Sequence, residues 1–280
     1  MKRYICLSLA LIFLLTFNIK GQGNKLTGDK EKPGSITVGN GTENLITVKV
    51  IYDNYTVEKE LTADWGYSIL IEGLEKSILF DTGTKPEIFE SNFRKMGLDP
   101  DRIEMIVLSH EHNDHTGGIP AVVKLKTGIP VLIPVSFSEE FKKELTEYGF
   151  EPVMIDKPAI ICKDLYTSGE FECQIPEQSL VLNTRKGLVI MTGCSHPGII
   201  EMLKDIEDTF SKNIYMVFGG FHLMNKSKKE MDELIREMKS LGVIKCGATH
   251  CTGEMQIGMF KDSFGENFFD LGVGNTIEIR

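Results

Sequence analysis

The chain has 280 residues, so one large α/β domain or two small ones are both possible. It is 41% hydrophobic and 25% charged, as in an ordinary globular protein. Its formal net charge of −9 and its lack of a Lys/Arg stripe exclude a nucleic-acid backbone as the main partner, because phosphate recognition depends on clustered basic side chains. A small-molecule substrate is the partner that this charge balance favours.

Residues 1–22 have the order of a secretory signal peptide. Lys2 and Arg3 precede an apolar run from Tyr4 to Phe17, and small and polar residues follow it. The run is shorter than the roughly 20 apolar residues that span a bilayer. We therefore expect cleavage near Gly21, no stable membrane anchor afterwards, and a periplasmic or extracellular protein.

Residues 23–44 are rich in Gly, Lys, Asn and Thr and have no apolar periodicity, which predicts a flexible leader. From Leu45 onward, β-rich runs alternate with amphipathic helical patterns. Strands are predicted at 46–52, 67–73, 77–83, 103–110, 129–135, 179–184, 187–193, 214–220 and 244–250. Helices are predicted at 85–97, 138–149, 197–210, 227–242 and 253–265. The folded domain is therefore expected at 45–280, in the α/β class.

Several predicted strands end in a polar cluster, and all six histidines of the chain lie at these ends. The clusters are FDTG (80–83), LSHEHNDH (108–115), TGCSH (192–196), GGFH (219–222) and ATHC (248–251). An α/β protein builds its site where strand ends converge on one edge of a sheet. A lone histidine is more often a turn cap or a backbone partner, but six at strand ends favour a common site.

The spacing of His110, His112, Asp114 and His115 indicates a metal site. Residues two apart on an extended segment point the same way, so the first two can reach one ion. Imidazole nitrogen with carboxylate oxygen suits zinc, iron or manganese, and a tetrahedral ion needs only three protein ligands plus water. Four potential ligands in so short a segment therefore predict two ions, each with an incomplete set.

His196 and His250 each end a predicted strand, and each could complete one of these sets. Cys194 and Cys251 stand beside them and could touch the metals, but a small buried thiol is the default interpretation of each. Trp65 and Tyr67 could line the pocket, but an aromatic pair that enters a strand more often packs in the core, which is the prediction for both. Cys162 and Cys173 could form a disulfide or remain two free thiols.

The HxHxDH segment resembles the signature of the metallo-β-lactamase superfamily, and FDTG, GCSH, GGFH and ATH are similar to its other motifs. The resemblance covers about residues 45–280. It implies an αββα sandwich, with two mixed β-sheets flanked by helices and a two-metal site on one edge. Its implied ligands are His110, His112 and His196 for the first ion, and Asp114, His115 and His250 for the second. The implied ions are divalent, zinc first, with manganese or iron as alternatives.

His222 stands where many two-metal members of the superfamily have a bridging aspartate. This departure leaves three alternatives open. The ions are bridged only by water or hydroxide, the second site is weaker, or His222 acts as a proton donor or substrate contact.

GGFHL (219–223) and THCTG (249–253) further resemble a branch labelled as dihydropterin ribofuranosyl-aminobenzene phosphate synthase-like. The export signal argues against a cytoplasmic pterin synthase. The main hypothesis is therefore an exported metallohydrolase, in which a metal-bound hydroxide attacks a small phosphoryl or acyl substrate.

In that hypothesis Asp114 and His222 are catalytic, Thr252 orients the substrate, and Asp81 fixes a histidine tautomer. The alternatives are a synthase-like transferase and a metal-bound sensor without catalysis. The intact ligand set argues against the sensor.

Overall fold

The computed structural model describes residues 35–280, and the predicted signal peptide lies outside the described residues. Part of the predicted leader is ordered. The N–H of Ile36 donates to the carbonyl of Thr209 at 2.9 Å, and the N–H of Thr42 donates to the carbonyl of Asn183 at 2.9 Å. The prediction that folded structure begins near Leu45 is therefore wrong, because this segment pairs its backbone with the domain and packs Ile36 against its core.

Residues 35–280 contain strands β1 (Ile46–Tyr52), β2 (Ser68–Glu72), β3 (Ile78–Phe80), β4 (Met105–Val107), β5 (Pro130–Pro134), β6 (Glu151–Ile155), β7 (Ala159–Cys162), β8 (Leu165–Thr167), β9 (Leu180–Thr184), β10 (Gly187–Thr192), β11 (Ile214–Gly220), β12 (Lys245–Thr249) and β13 (Thr276–Ile279). The α-helices of the same part are α1 (Pro86–Lys95), α2 (Asn113–Thr116), α3 (Ile119–Leu125), α4 (Glu139–Glu147), α5 (Ile199–Phe210), α6 (Lys228–Ser240) and α7 (Glu254–Phe264).

The strands form two mixed sheets. The first has the order β13-β1-β2-β3-β4-β5-β6, and the second has the order β12-β11-β10-β9-β8-β7. Strands β3 to β6 are parallel to one another, as are β10 to β12, whereas β1, β2 and β3 form antiparallel pairs. Parallel order within each sheet brings the carboxyl ends of several strands to one edge.

Alternating side chains along the strands build three apolar layers. On β2, Ile69 and Ile71 lie in the core between the sheets, whereas Leu70 faces the opposite side. That opposite side is covered by α1, α3 and α4, and the outer side of the second sheet is covered by α5, α6 and α7. Both sheets are therefore buried on both faces, and the predicted αββα sandwich is confirmed.

All the predicted strands and helices are present; β1 and β11 have the predicted bounds, and the others are shorter than predicted. The elements that the sequence did not predict are β6, β7, β8, β13, α2 and α3. Strands β6, β7 and β13 are at sheet edges and carry exposed residues, so they lack a continuous apolar run. Helix α2 has only four residues, too few to show a periodicity. No helix within residues 35–280 is long and apolar enough to cross a membrane.

Candidate metal centre

All six histidines lie in one cluster at the edge where the strand ends meet. The centre of the His110 ring is 4.2 Å from that of His115 and 4.6 Å from that of His196. The outer members, His250 and His222, have ring centres 5.0 Å from His115 and 4.5 Å from His196, respectively. The two sheets contribute to one site, because His110, His112 and His115 follow β4 whereas the other three follow β10, β11 and β12.

His110, His112 and His196 form the first predicted ligand set. Nε2 of His110 lies 3.1 Å from Nδ1 of His112, and the His196 ring centre is 4.9 Å from that of His112. Two nitrogens bound to one tetrahedral zinc ion at about 2.0–2.1 Å each lie about 3.3 Å apart. The separation of the first two nitrogens therefore fits two ligands of one ion.

Asp114, His115 and His250 form the second set. Oδ2 of Asp114 lies 3.3 Å from Nε2 of His250 and 3.8 Å from Nε2 of His115. Nε2 of His250 is buried and has no hydrogen-bond partner among the described residues. A buried nitrogen without a partner is rare because its desolvation is uncompensated. This nitrogen, beside a carboxylate, fits a cation bound between the two side chains.

Polar side chains hold the far nitrogens of three of these imidazoles. The pairs are Asp81 with Nδ1 of His115 at 2.7 Å, Glu177 with Nδ1 of His196 at 3.0 Å, and Asn54 with Nδ1 of His250 at 2.9 Å. An oxygen acceptor places the ring proton on Nδ1 and leaves the Nε2 lone pair for a metal. The position of Asp81 allows the tautomer-fixing role that was predicted for it.

Ser109 links Asp81 to the first ligand set. Its N–H and its hydroxyl donate to the two oxygens of Asp81 at 2.7 and 2.8 Å, and its hydroxyl lies 2.9 Å from Nδ1 of His110. Gly193 makes room for it, because a Cβ at that position would be 2.2 Å from the Ser109 hydroxyl. One buried carboxylate therefore orients imidazoles of both sets.

Glu177 is a site residue that sequence reasoning missed. It is fully buried just before β9, and its carboxylate accepts hydrogen bonds from the N–H groups of Cys194, Ser195 and His196 at 2.8, 2.9 and 3.0 Å. Burial alone would raise the pKa of Glu177, but the hydrogen bond from His196 and the neighbouring imidazoles hold it well below its usual range. Glu177 therefore fixes the loop after β10 as a charged acceptor.

The electrostatics keep three of the ligand side chains, those of His110, His115 and Asp114, in their metal-binding forms at neutral pH. Burial lowers the pKa of His115 to about 3 and holds the pKa of His110 well below its ordinary value. Burial also opposes ionisation of Asp114, but the ring nitrogen of His250 at 3.3 Å and the neighbouring His115 ring hold the pKa of Asp114 well below its usual range. Neutral imidazoles and an ionised carboxylate are the states that bind metal.

The backbone at the strand ends is unusual. Asp81, Ser195, His222 and His250 have φ values of 57°, 62°, 52° and 51°, in the left-handed region that non-glycine residues seldom adopt. Such residues cluster at functional sites, where the surrounding structure holds them in place. The left-handed turns direct successive side chains into the centre immediately after each strand.

Comparison with known proteins identifies the family. A model of the metallo-beta-lactamase superfamily matches residues 62–190. The chain is 32% identical over 262 residues to 7,8-dihydropterin-6-methyl-4-(beta-D-ribofuranosyl)-aminobenzene-5'-phosphate synthase of Methanocaldococcus jannaschii, and the match covers 76% of this chain and 89% of the relative. The chain belongs to the metallo-β-lactamase superfamily.

Solved structures of the superfamily have the same architecture. Tm1679, described as a metal-dependent hydrolase of the beta-lactamase superfamily, matches with a TM-score of 0.70 and 28% identity, over 84% of this chain and 99% of its own. YhfI from Bacillus subtilis, a metallo-beta-lactamase fold protein, matches with a TM-score of 0.61 and 16% identity, over 85% of this chain and 100% of its own. At that identity the second likeness shows the fold alone.

Among the described residues, His222 does not belong to either group of potential ligand atoms that contains the predicted histidine ligands of one ion. Its backbone N–H donates to Sγ of Cys251 at 3.3 Å, and its exposed side chain lines a cavity beside His196. The side chain shared by the two ligand sets is Cys194, which lies among His110 and His196 as well as among the second set. The sequence motifs could not show this, because both residues end neighbouring parallel strands.

Two further predictions differ from the structure. Thr252 is fully buried, and its hydroxyl donates to the carbonyl of Thr249 at 2.6 Å and accepts from the N–H of Phe221 at 3.1 Å. It is therefore not placed to contact a substrate. Trp65 was expected in the core, yet it is 45% exposed and donates from Nε1 to Asp114, because its indole lies over the centre; Tyr67 is buried as predicted.

Proposed function

We propose that this protein is an exported metal-dependent hydrolase that acts on a small phosphoryl or acyl substrate. The observation that carries the proposal is the convergence of six imidazoles and Asp114 beside an open cavity. Structural histidines seldom collect in this way, and buried titratable groups with strongly shifted pKa values at a cleft are typical of catalytic sites.

The cavity supports a small substrate. Its volume is about 450 Å³, within the range of small-molecule sites, and His196 and His222 line one side of it. Lys226 also lines the cavity, with glutamates of α5 and α6, namely Glu201, Glu230, Glu233 and Glu237. This concentration of carboxylates repels a polyanion, which agrees with the proposal that nucleic acid is not the substrate.

Two divalent ions, zinc first and manganese or iron as alternatives, would be held by the two ligand sets. When bound, they supply a water that is acidic enough to act as a nucleophile near neutral pH, and they polarise the bond under attack. Asp81, Asn54 and Glu177 keep the imidazole rings oriented for this task. Asp114, which is ionised and whose side chain is 18% exposed, can orient the nucleophilic water as a hydrogen-bond acceptor. His222 can donate a proton to the leaving group or bind an anionic group.

The test combines metal content with turnover. We expect the purified protein to contain zinc, manganese or iron and to hydrolyse at least one of a panel of phosphodiesters, lactones and a chromogenic β-lactam. His110→Ala and Asp114→Ala should abolish metal binding and turnover in a folded protein, whereas Asp205→Asn, an exposed change on α5, should leave both unchanged. Full metal occupancy in the His110→Ala/Asp114→Ala double variant would contradict the proposal. Metal binding by the wild type without any turnover would favour a sensor.

A synthase-like transferase is the second candidate, because the relative that is 32% identical carries that name. Export separates the two candidates, since pterin precursors are cytoplasmic metabolites. The run from Tyr4 to Phe17 after Lys2 and Arg3 supports export. Mass spectrometry of the native protein should find a mature terminus near Gly21 in the periplasmic or culture fraction. An uncleaved cytoplasmic protein would instead favour the transferase.

A further inference from the structure

Cys194 occupies the centre of the ligand cluster. Its Sγ belongs to three of the groups of potential ligand atoms in which all members lie within 4.8 Å of one another. The groups are Asp114, His115, Cys194 and His250; His110, Cys194 and His196; and Cys194, His222 and Cys251. One sulfur is therefore within reach of both predicted ion positions.

The distances suit direct ligation by sulfur. Sγ of Cys194 lies 3.2 Å from Nε2 of His115, and the residue is 2% exposed. A nitrogen at about 2.0 Å and a sulfur at about 2.3 Å from one tetrahedral zinc ion lie about 3.5 Å apart. The Cys194 backbone is also fixed, because its N–H donates to Glu177 at 2.8 Å.

A second observation points to a ligand at the same place. Nε2 of His250, in a residue that is 1% exposed, has no hydrogen-bond partner within the described chain, although it belongs to the same group as Cys194. Asn54 holds the other ring nitrogen, so the free one faces the sulfur and Asp114. A buried lone pair beside a thiol and a carboxylate is the donor set of a soft divalent cation.

We propose that Cys194 is a metal ligand whose thiolate sulfur is shared by the two ion positions. The inference rests on the proposed two-metal centre and adds one ligand to it. Binding breaks the S–H bond, the proton goes to solvent, the sulfur lone pairs form the bonds to metal, and nothing is oxidised or reduced. A thiolate favours zinc or iron over manganese.

Cys251 provides the discriminating control. It is also buried and lies within 4.8 Å of Cys194 and His222, but it does not belong to either group that contains the predicted histidine ligands of one ion. Its Sγ accepts the His222 N–H and points towards the carbonyl of Cys194 at 3.6 Å. Cysteine Cys246, buried in the layer beneath α5, α6 and α7, provides a remote control.

The experiment uses the mature protein depleted of metal and reconstituted with Co²⁺, which reports sulfur ligation through a charge-transfer band in the near ultraviolet. We expect wild type, Cys251→Ser and Cys246→Ser to bind about two equivalents of Co²⁺ and to show the band. Cys194→Ser should lose the band. Cys194→Asp, which replaces the thiol with a carboxylate, should bind about two equivalents of Co²⁺ without showing the band.

Other results would overturn the inference. Co²⁺ bound by wild type without a sulfur band would exclude the thiolate and leave the metal centre intact. If the band survives Cys194→Ser but disappears in Cys251→Ser, the sulfur ligand is Cys251, and the inference about Cys194 is wrong. No binding of Co²⁺ by wild type would overturn the proposed function itself. X-ray absorption at the zinc edge of the wild-type protein counts sulfur neighbours directly, so the inference stays testable if Cys194→Ser does not fold.

Discussion

Trp65 and Asp114 are joined by a hydrogen bond of 2.7 Å from the indole Nε1 to the carboxylate Oδ2. The same indole ring lies 5.1 Å from the ring of His250. An aromatic side chain that is 45% exposed therefore both orients a ligand of the second set and forms part of the solvent-facing wall of the centre.

Trp65→Phe should weaken binding at the second ion position, because it keeps an aromatic ring but removes the N–H that orients Asp114. Loss of an outer partner of a ligand costs about 10–100-fold in metal affinity. Competition with a chromophoric chelator measures the change. Tyr67→Phe is the matched control, since it removes a buried hydroxyl for which the described structure shows no partner. Equal affinity in Trp65→Phe and wild type would refute the orienting role.

Glu177→Gln should lower both stability and metal affinity. The amide nitrogen cannot accept the backbone N–H groups that the carboxylate binds, so buried donors after β10 lose their partner, at a cost of about 1–3 kcal/mol. Chemical denaturation measures the free energy of unfolding, and chelator competition measures the metal affinity. Glu172→Gln, an exposed change in the same segment, should alter neither quantity. Unchanged stability in Glu177→Gln would contradict the assigned hydrogen bonds.

The metal-free protein should lose stability in acid through His115. Its folded-state pKa of about 3 lies below the ordinary 6.5, so between these values the unfolded chain takes up a proton that the folded chain does not. The contribution of His115 to the free energy of unfolding is fully present above pH 6.5 and is lost as the pH falls towards about 3. Each such proton changes the free energy of unfolding by up to about 1.4 kcal/mol per pH unit.

The variant His115→Gln isolates this effect. The slope of its free energy of unfolding against pH can be compared with that of the wild type even if the variant is less stable at neutral pH. Denaturant unfolding of the chelator-treated proteins, repeated across the acid range, should give a shallower pH dependence for the variant. His222→Gln should not flatten the curve, since the pKa of His222 is raised by its interaction with Cys251 and its contribution is lost as pH rises. Identical slopes for wild type and His115→Gln would contradict the prediction.

Metal removal should destabilise the protein strongly. A ligand that binds only the folded state adds about 2.7 kcal/mol when its concentration is 100-fold above Kd, and two ions add separately if their sites are independent. Thermal melting with and without a chelator should therefore show a large shift for wild type and Asp205→Asn. His196→Ala, which removes one ligand of the first set, should show a smaller shift. Equal shifts in all three proteins would exclude ion binding by His196.

The fold and the clustering of the six candidate ligands were predictable from the sequence, because continuous apolar runs identify the central strands and the histidines mark their ends. The edge strands β6, β7 and β13 were not predictable, since their exposed residues interrupt the apolar run, as Val153 and Met154 do in β6. The beginning of the ordered chain was missed because Ile36 and Val38 are isolated apolar residues in a polar segment.

Several residues that contact the predicted ligands could not be predicted from the sequence, for a different reason. Glu177 and Asn54 act through contacts with residues far along the chain, for example the contact of Asn54 with His250 across 196 positions. Nothing in the local pattern around either residue marks it as a partner of a particular histidine. Cys194 adjoins a predicted ligand, but only the placement of β10 between its neighbours shows that its sulfur lies between the two sets. Long-range pairing therefore decides these roles.

The centre draws its ligands from both sheets, with Asp114 and His115 after β4 and His196 and His250 after β10 and β12. Bound ions would therefore fasten the two halves of the sandwich together at this edge, in addition to any role in catalysis. The two halves meet elsewhere through apolar side chains, which tolerate small sliding movements. A substitution that loosens the packing between the sheets, far from any histidine, would change the spacing of the ligands and hence the strength with which each ion is held.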